Sequence, residues 1–474
     1  MAEMLSPDIC VVGGGPAGIA LATRAARNGV PVVLVEKART GGANLGYGSI
    51  PSKALITAAN HHEILRCGPA FGVTGAPLQV NFGKVSEHIR SVAEAVSPYV
   101  SSERLTALGV RVIGAPARFL DRRTVIAGNF TIIARRFVIA TGGIPKAPDV
   151  PGLADLDYMT PQNAFDITRK PGHLLVLGAN PHGLELAQAY NRLGVDTTVI
   201  DTAAALPEED PELAGILLDR LRAEGVRIRD NSAIAGVVRR RGGYRLTVVE
   251  QNEEVAVDGS HLLVVGGRAP NIADLGLAAA GVAHDEDGVV VDRLLRTTNR
   301  RIYAIGDVIS GPPAANRGAY QAGRILQSIL FRLPKRDRSS DIPIVTFTDP
   351  GLATIGLNEA DARRRDVKIR ILRFPFIEND RVQTERMPVG VIKVIVDRRG
   401  RILGVGIVGH EAGEQIALWS LAMANRLDIR AIADLLPPYP TRAAISRSVA
   451  EAFVGPGLTS PWRRRIIEFL RKFG

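Results

Sequence analysis

Two glycine turns, each followed at a fixed distance by a carboxylate, are the parts of this chain best suited to chemistry. The first lies within ICVVGGGPAGIALATRAARNGVPVVLVE, from Ile9 to Glu36, and the second within LLVLGANPHGLELAQAYNRLGVDTTVID, from Leu174 to Asp201. One shift of 165 residues aligns Gly13 with Gly178, Pro16 with Pro181, Gly18 with Gly183 and Glu36 with Asp201. Such a turn holds a dinucleotide. Its first glycine permits the tight bend, its second lets a pyrophosphate approach the backbone, and its third lets the helix sit close to the strand. The helix start then offers free N–H groups and a partial positive charge to phosphate. The acid accepts hydrogen bonds from a ribose diol. The first copy is complete, with Gly13, Gly15 and Gly18. The second has Asn180 at the middle position, which is expected to weaken pyrophosphate binding without abolishing it, since asparagine tolerates unusual backbone angles. Asp201 suits an unphosphorylated ribose, and no arginine follows within the next few residues, so NADH is favoured over NADPH.

The elements that position these residues follow from the same segments. Each copy runs from a short apolar stretch through a glycine turn and a helical stretch to a second apolar run, which is a βαβ unit. Proline near the first helical position is tolerated, because its missing N–H has no partner there. The 474 residues suggest about three domains. Composition, 46% hydrophobic and 23% charged, is that of an ordinary globular chain. No apolar run reaches the length of about 18 residues that a transmembrane helix needs. The start, MAEMLSPDICVVGGG, is expected to leave no room for a signal peptide, and with only Cys10 and Cys67 a cysteine-rich framework or zinc site is excluded. A cytoplasmic location and no metal are therefore expected. The formal charge is +11, its basic residues are spread along the chain except for a cluster at the C-terminus, and no nucleic-acid module is present.

Several motifs then occur in a fixed order: GGGPAG, GGANLGYGSIPSKAL, ATGGIPKAP, GANPHGLELA, GGRAPN, YAIGDV, FTDPGLATIG, ILGVGIVGHEAGEQI and YPT. In these the chain resembles the pyridine nucleotide-disulfide oxidoreductase family, which includes dihydrolipoamide dehydrogenase, mercuric reductase and soluble transhydrogenase. The resemblance implies an α/β fold with two Rossmann-like dinucleotide-binding domains and a C-terminal α+β dimerisation domain. It divides the chain into an FAD-binding domain (1–150 and 271–340), an NAD-binding domain between them (151–270), an interface domain (341–455) and a tail (456–474). FAD and NAD(P)H are the implied cofactors, and a homodimer the implied assembly. Cofactor contacts are expected from Gly13, Gly15, Pro16, Ala17 and Gly18, from Glu36 and Lys37, and from Gly42 and Lys53. Further contacts are expected from Thr141 and Gly142, from Gly178, Gly183 and Asp201, and from Gly267, Gly306 and Asp307, the last on the ribityl chain. Lys53 and Glu185 are implied as the catalytic pair beside the flavin edge where hydride enters.

Two places depart from the family pattern. The cysteine pair expected before PSK is replaced by Asn44 and Ser49. A serine oxygen cannot stand in for a thiolate, because disulfide exchange needs attack on sulfur. The histidine and glutamate expected around Pro-Thr are replaced by Tyr439 and Ala444. A phenol with a reference pKa near ~10 is a poor proton shuttle at neutral pH. Cys10 and Cys67 are expected to be small core residues. NADH can then reduce FAD, and electrons must leave the flavin directly for a small-molecule acceptor such as a quinone. Transhydrogenation and an FAD-bound regulatory or interaction role are the other readings. The tail, SPWRRRIIEFLRKFG, gathers Trp462, Ile466, Phe469, Leu470 and Phe473 near one helical face, with Arg463, Arg464, Glu468, Arg471 and Lys472 largely elsewhere. It suits peripheral membrane contact, docking on a dimer partner, or a disordered end.

Overall fold

Continuous apolar runs such as Ile9–Val12 and Val32–Glu36 read as strands buried on both faces, the usual setting of a parallel sheet. The computed structural model bears this out. It describes every residue except 1–2, 76–77, 251, 312–314, 339–340, 366–367, 459–460 and 474. The chain forms two units, one of residues 1–203 and 226–339, the other of 204–225 and 340–474.

In the first unit, a five-stranded parallel sheet runs in the order Ile302–Ala304, Arg136–Ile139, Ile9–Val12, Val32–Glu36, Val110–Gly114. A second parallel sheet runs Arg227–Arg229, Asp196–Ile200, His173–Leu177, His261–Val264. The sequence repeat is also a register repeat. Ile9 pairs with Val32 and Leu174 with Thr197, the same shift of 165. The two helices after the turns, Pro16–Arg27 and Pro181–Arg192, keep that offset at both ends. The Ser49–Cys67 helix packs against the Pro181–Arg192 helix, and Arg192 Nη1 donates to Asn60 Oδ1 at 2.6 Å.

The second unit is built on an antiparallel sheet in the order Ile344–Thr346, Gly351–Gly356, Ile402–Gly409, Val391–Asp397, Ile369–Pro375. Its core centres on Trp419, fully buried, whose Nε1 donates to Ser446 Oγ at 3.1 Å. An aromatic ring of this size stays buried only where its N–H finds a partner. The Pro211–Ala223 helix belongs to this unit and begins at Asp210, whose carboxylate caps it by accepting from Glu212 N. The same residues meet the buried Lys393, whose Nζ lies 2.7 Å from Asp210, 2.9 Å from Glu212 and 2.8 Å from Glu359. Among the described residues, no helix is long and apolar enough to cross a membrane.

Removing Lys393 would leave these carboxylates facing one another with a buried charge uncompensated, a loss of about 3–5 kcal/mol for a broken buried pair. The Lys393→Met variant should therefore melt well below the parent at neutral pH. Hydrogen bonds from Arg373 and Lys393 hold the Glu212 carboxyl down to about 2, and Lys393 and Arg363 hold Glu359 low as well. A carboxyl lowered on folding stabilises above its unfolded value and stops doing so as pH falls through the folded one. The gap between parent and variant in thermal scans should hence be full above pH ~4.5 and shrink toward pH 2.

Candidate functional site

The two turns superpose contact by contact. Gly13 N donates to Val35 O and Gly178 N to Ile200 O, each at 2.8 Å. Gly14 N donates to Glu36 Oε2, and Ala179 N to Asp201 Oδ2, each at 2.6 Å. The second oxygen of each acid accepts from a residue two further on, Ala38 N at 2.8 Å and Ala203 N at 3.0 Å. Each carboxylate is thus pinned at the strand end with lone pairs left for a ligand. Crowding explains the glycines. A Cβ on Gly18 would lie 1.9 Å from Gly13 O, and one on Gly183 2.0 Å from Gly178 O. Gly13 and Gly178 also have φ of +110° and +126°, which side chains rarely adopt.

The middle positions differ. At Gly15 an added Cβ would meet nothing within 4 Å, so the turn opens onto free space above the helix start. At Asn180 the side chain occupies that position and folds back. Its Oδ1 accepts from Gly183 N at 3.1 Å, and its Nδ2 donates to Val265 O at 2.5 Å. Asparagine here is an ordinary helix N-cap. The first helix has no side-chain cap and keeps its leading N–H groups available, whereas the second has one of them satisfied internally. Beyond the acid of this copy lies a cavity of about 500 Å³ lined by Arg229, Asp230, Asn231, Ser232 and Glu250. Ser232 N donates to Asp201 O and joins the cavity wall to the acid.

Lys53 and Glu185, far apart in the chain, meet at 2.7 Å, with Glu185 4% exposed and Lys53 32% exposed. His182 Nδ1 lies 3.7 Å from the same Glu185 oxygen. Burial pushes the Glu185 carboxyl up, but hydrogen bonding from His182 and the Lys53 charge outweigh it, so the carboxyl stays below its ordinary range. Charge is therefore held at this point by an opposite charge and not lost to protonation. His182 was not singled out by the sequence reading; its one-turn spacing from Glu185 on a helix was the available signal.

Thr141 and Gly142 follow the Arg136–Ile139 strand, and Gly142 has φ +69°. The Gly143–Pro145 and Arg268–Pro270 strands pair antiparallel, so GGRAPN is laid against ATGG. Asn271 strengthens this by donating to Thr141 O. Gly267 has φ +98° with open space where a side chain would be. Gly306 N donates to Gln321 Oε1, and Asp307 beside it lies 3.5 Å from Arg268 Nε. Arg268, Asn271 and Gln321 organise this end of the sheet and were missed, since they flank the motif glycines instead of forming them. Gly42 comes so close to Gly15 that an added Cβ would be 2.9 Å from its Cα. Ala17 packs its methyl against Gly306 and Gly318, and Pro16 opens its helix. Lys37 is exposed next to Glu36.

Whether this arrangement fits a flavin dinucleotide can be tested on the protein itself. The first turn leaves an uncapped helix start and open space at Gly15. Thr141 Oγ1 and Asn44 Oδ1 are buried without a hydrogen-bond partner. Buried polar atoms are costly unless paired, so each points to a ligand beside it. A cavity of about 200 Å³ lined by Pro16, Ile19, Gly41, Asn44, Leu45 and Ile50 opens beside Asn44. The residues present fit FAD.

The residues expected at the family's redox positions are also placed. Asn44 lies in the short Gly42–Gly46 helix, and Ser49 begins the Ser49–Cys67 helix. Tyr439 is 81% exposed and donates to Asp380 Oδ2 at 2.8 Å, a bond that raises its phenol above the ordinary value. Ala444 starts the Ala444–Leu458 helix. Cys10 is fully buried, as expected, and burial pushes its thiol up to about 12. Cys67 departs from the core reading. It is only partly buried, and its Sγ lies 3.4 Å from Glu63 Oε1, because the Ser49–Cys67 helix ends at the surface there.

Comparison with known proteins agrees with the geometry. Residues 7–323 match the family described as pyridine nucleotide-disulphide oxidoreductase, and residues 342–449 match its dimerisation domain. The chain is 32% identical to a dihydrolipoyl dehydrogenase of Bacillus subtilis (strain 168) over 95% of its own length and 97% of the relative's. It is 29% identical to a mercuric reductase of Lysinibacillus sphaericus over 92% of this chain and 80% of that one. Among solved structures, LpdA from Mycobacterium tuberculosis superposes with a TM-score of 0.86 at 27% identity, covering 94% of this chain and 99% of that one. The chain belongs to the pyridine nucleotide-disulphide oxidoreductase family. It is an FAD-dependent NAD(P)H oxidoreductase, and its dimerisation domain supports a homodimer.

The Asn180 cap yields a test. Replacing an N-cap asparagine by glycine costs only a few tenths of a kcal/mol, so Asn180→Gly should fold as the parent does. It should bind NADH roughly tenfold more tightly, since freeing Gly183 N is worth about one hydrogen bond. Asn180→Asp keeps the cap but faces the pyrophosphate with a negative charge and should bind more weakly than the parent. Titration of intrinsic fluorescence with NADH reads all three.

Proposed function

We propose that this enzyme takes reducing equivalents from NADH into FAD and delivers them directly from the flavin to a small non-disulfide acceptor of the quinone type. The observation that carries the reading is the lack of usable sulfur. The chain has two cysteines, one sealed in a sheet core with its thiol pushed up to about 12, the other beside Glu63 at a helix end. Asn44 and Ser49 stand where the family pattern has its redox pair. The named relatives are a dihydrolipoyl dehydrogenase and a mercuric reductase; we propose that this chain keeps the hydride input of such proteins and has a different output.

FAD, when bound, supplies a two-electron relay that no side chain can. The protein's share is positional and electrostatic. Gly13, Gly15 and Gly18 would bring the main chain to the flavin dinucleotide's pyrophosphate, with Glu36 accepting from its ribose. Gly178, Gly183 and Asp201 would do the same for the nicotinamide dinucleotide. A carboxylate at Asp201 repels a 2′-phosphate, which favours NADH over NADPH. Lys53, fixed by Glu185, would hold a positive charge where negative charge develops on hydride transfer. Asp307 would meet the ribityl chain, and Thr141, Gly142, Gly267 and Gly306 would let the backbone pass close to the cofactors. The division into FAD-binding (1–150, 271–340), NAD-binding (151–270) and interface (341–455) domains belongs to the same proposal. Tyr439 at the Pro-Thr position favours transhydrogenation as a second reading. A lipid-soluble acceptor would place the reaction at a membrane, and residues 456–474 are proposed to touch one.

Anaerobic addition of NADH to the yellow protein should bleach the flavin band at about 450 nm. A soluble quinone should restore it faster than a nicotinamide analogue does; the reverse order selects transhydrogenation, and no bleaching selects a regulatory role. Lipoamide and oxidised glutathione should give no turnover, and robust turnover with either would overturn the proposal. Glu185→Gln frees Lys53 from its partner and should slow bleaching in stopped flow by about tenfold to a hundredfold, with FAD content unchanged.

A further inference from the structure

Beyond the cofactor sites, the least explained feature of the chain is its end. Pro461–Leu470 forms a helix, and the bond from Arg471 N to Ile467 O carries the turn onward. Within the chain its large apolar side chains are exposed: Trp462 is 60% exposed, Ile466 42%, Phe469 59%, Leu470 57% and Phe473 73% along one face, with Ile467, 52% exposed, outside that face. At 3.6 residues per turn these five fall within an arc of about 100°. Phe469 and Phe473 stack edge to face along it with centroids 5.0 Å apart. Arg464, Arg471 and Lys472 occupy the opposite side and Arg465 its border, with Glu468 the single acid in the helix.

An apolar stripe this continuous is not left wet without reason, since elsewhere in the same unit side chains such as Trp419 and Phe376 are fully buried. The charge decides between occupants. The tail sets Arg464, Arg465, Arg471 and Lys472 against the one acid Glu468, so the surface that complements it is anionic. A surface of anionic lipid offers the complement: hydrocarbon for the stripe, headgroup phosphates for the guanidinium and ammonium groups, and an interface where indole and phenyl rings settle. We infer that the 461–473 helix lies in the plane of an anionic lipid surface and anchors the enzyme there peripherally. This deepens the membrane contact proposed above and does not depend on which acceptor the flavin serves. Thr459, Ser460 and Gly474 of the tail lie outside the described residues.

The test is flotation of the FAD-loaded full-length protein with vesicles of phosphatidylcholine alone or with phosphatidylglycerol added. The protein should float with the anionic vesicles, stay behind with the neutral ones, and be released by high salt, which screens the attraction. Arg464→Glu with Arg471→Glu should lower binding by at least about tenfold. Ile466→Glu with Phe469→Glu, and a chain ending at residue 458, should abolish it. NADH bleaching of the truncated chain checks that the rest is folded and is read separately from lipid binding. The inference is overturned if the full-length protein ignores anionic vesicles or if the truncated chain floats equally well. It is also overturned if truncation dissociates the dimer in sedimentation while lipid binding is absent, since the stripe would then be covered by the partner copy.

Discussion

Each nucleotide-binding half of this protein rests on a contact that has no room for a side chain. The helix after each turn sits on the main chain it has just left, close enough that a methyl group on Gly18 or Gly183 would overlap a carbonyl oxygen. That closeness aims the helix start at the end of the strand, where the pinned acid also sits. The sheet register, the helix ends and the acid all repeat at one offset because they are consequences of this packing. Two turns of like architecture result, and at the middle glycine position Asn180 sets the second apart.

That side chain, Asn180, shows how the same backbone can be tuned. A helix start is attractive to phosphate because its N–H groups lack partners. Supplying a partner from within stabilises the helix and weakens that attraction together. The first copy leaves the groups open, and the second satisfies one of them through Asn180. The Lys53–Glu185 pair applies a similar economy: the buried Glu185 carboxylate is kept charged by half-buried Lys53, with His182 as a third member.

The motifs made the βαβ repeat, the glycines and the acids legible, because local crowding permits few residue types at those points. The Lys53–Glu185 contact was reached only through resemblance, since nothing in the chain between two residues 132 apart says that two helices meet there. His182, Arg268, Asn271 and Gln321 were passed over: each acts on a motif from beside it, through a contact that has no local signature. Cys67 was expected in the core because cysteine is usually buried; the position of the helix end placed it at the boundary instead. The Lys393 cluster was invisible as well. Its acids all precede the lysine, two of them by more than a hundred residues and Glu359 by a few dozen.

By itself the sequence determined which chemistry is open to this protein. Glycine turns and acids admit dinucleotides, and a chain whose two cysteines stand away from the PSK segment has no pair there to exchange. Covalent identity sets those limits, whatever the fold. The tertiary structure alone decided how the remaining groups are used: that Asn180 Nδ2 reaches Val265 O, that Lys53 finds Glu185, and that the described residues leave the aromatic face of the last helix uncovered. These are matters of distance between residues remote in the chain, and distance is set by packing, which no local pattern encodes.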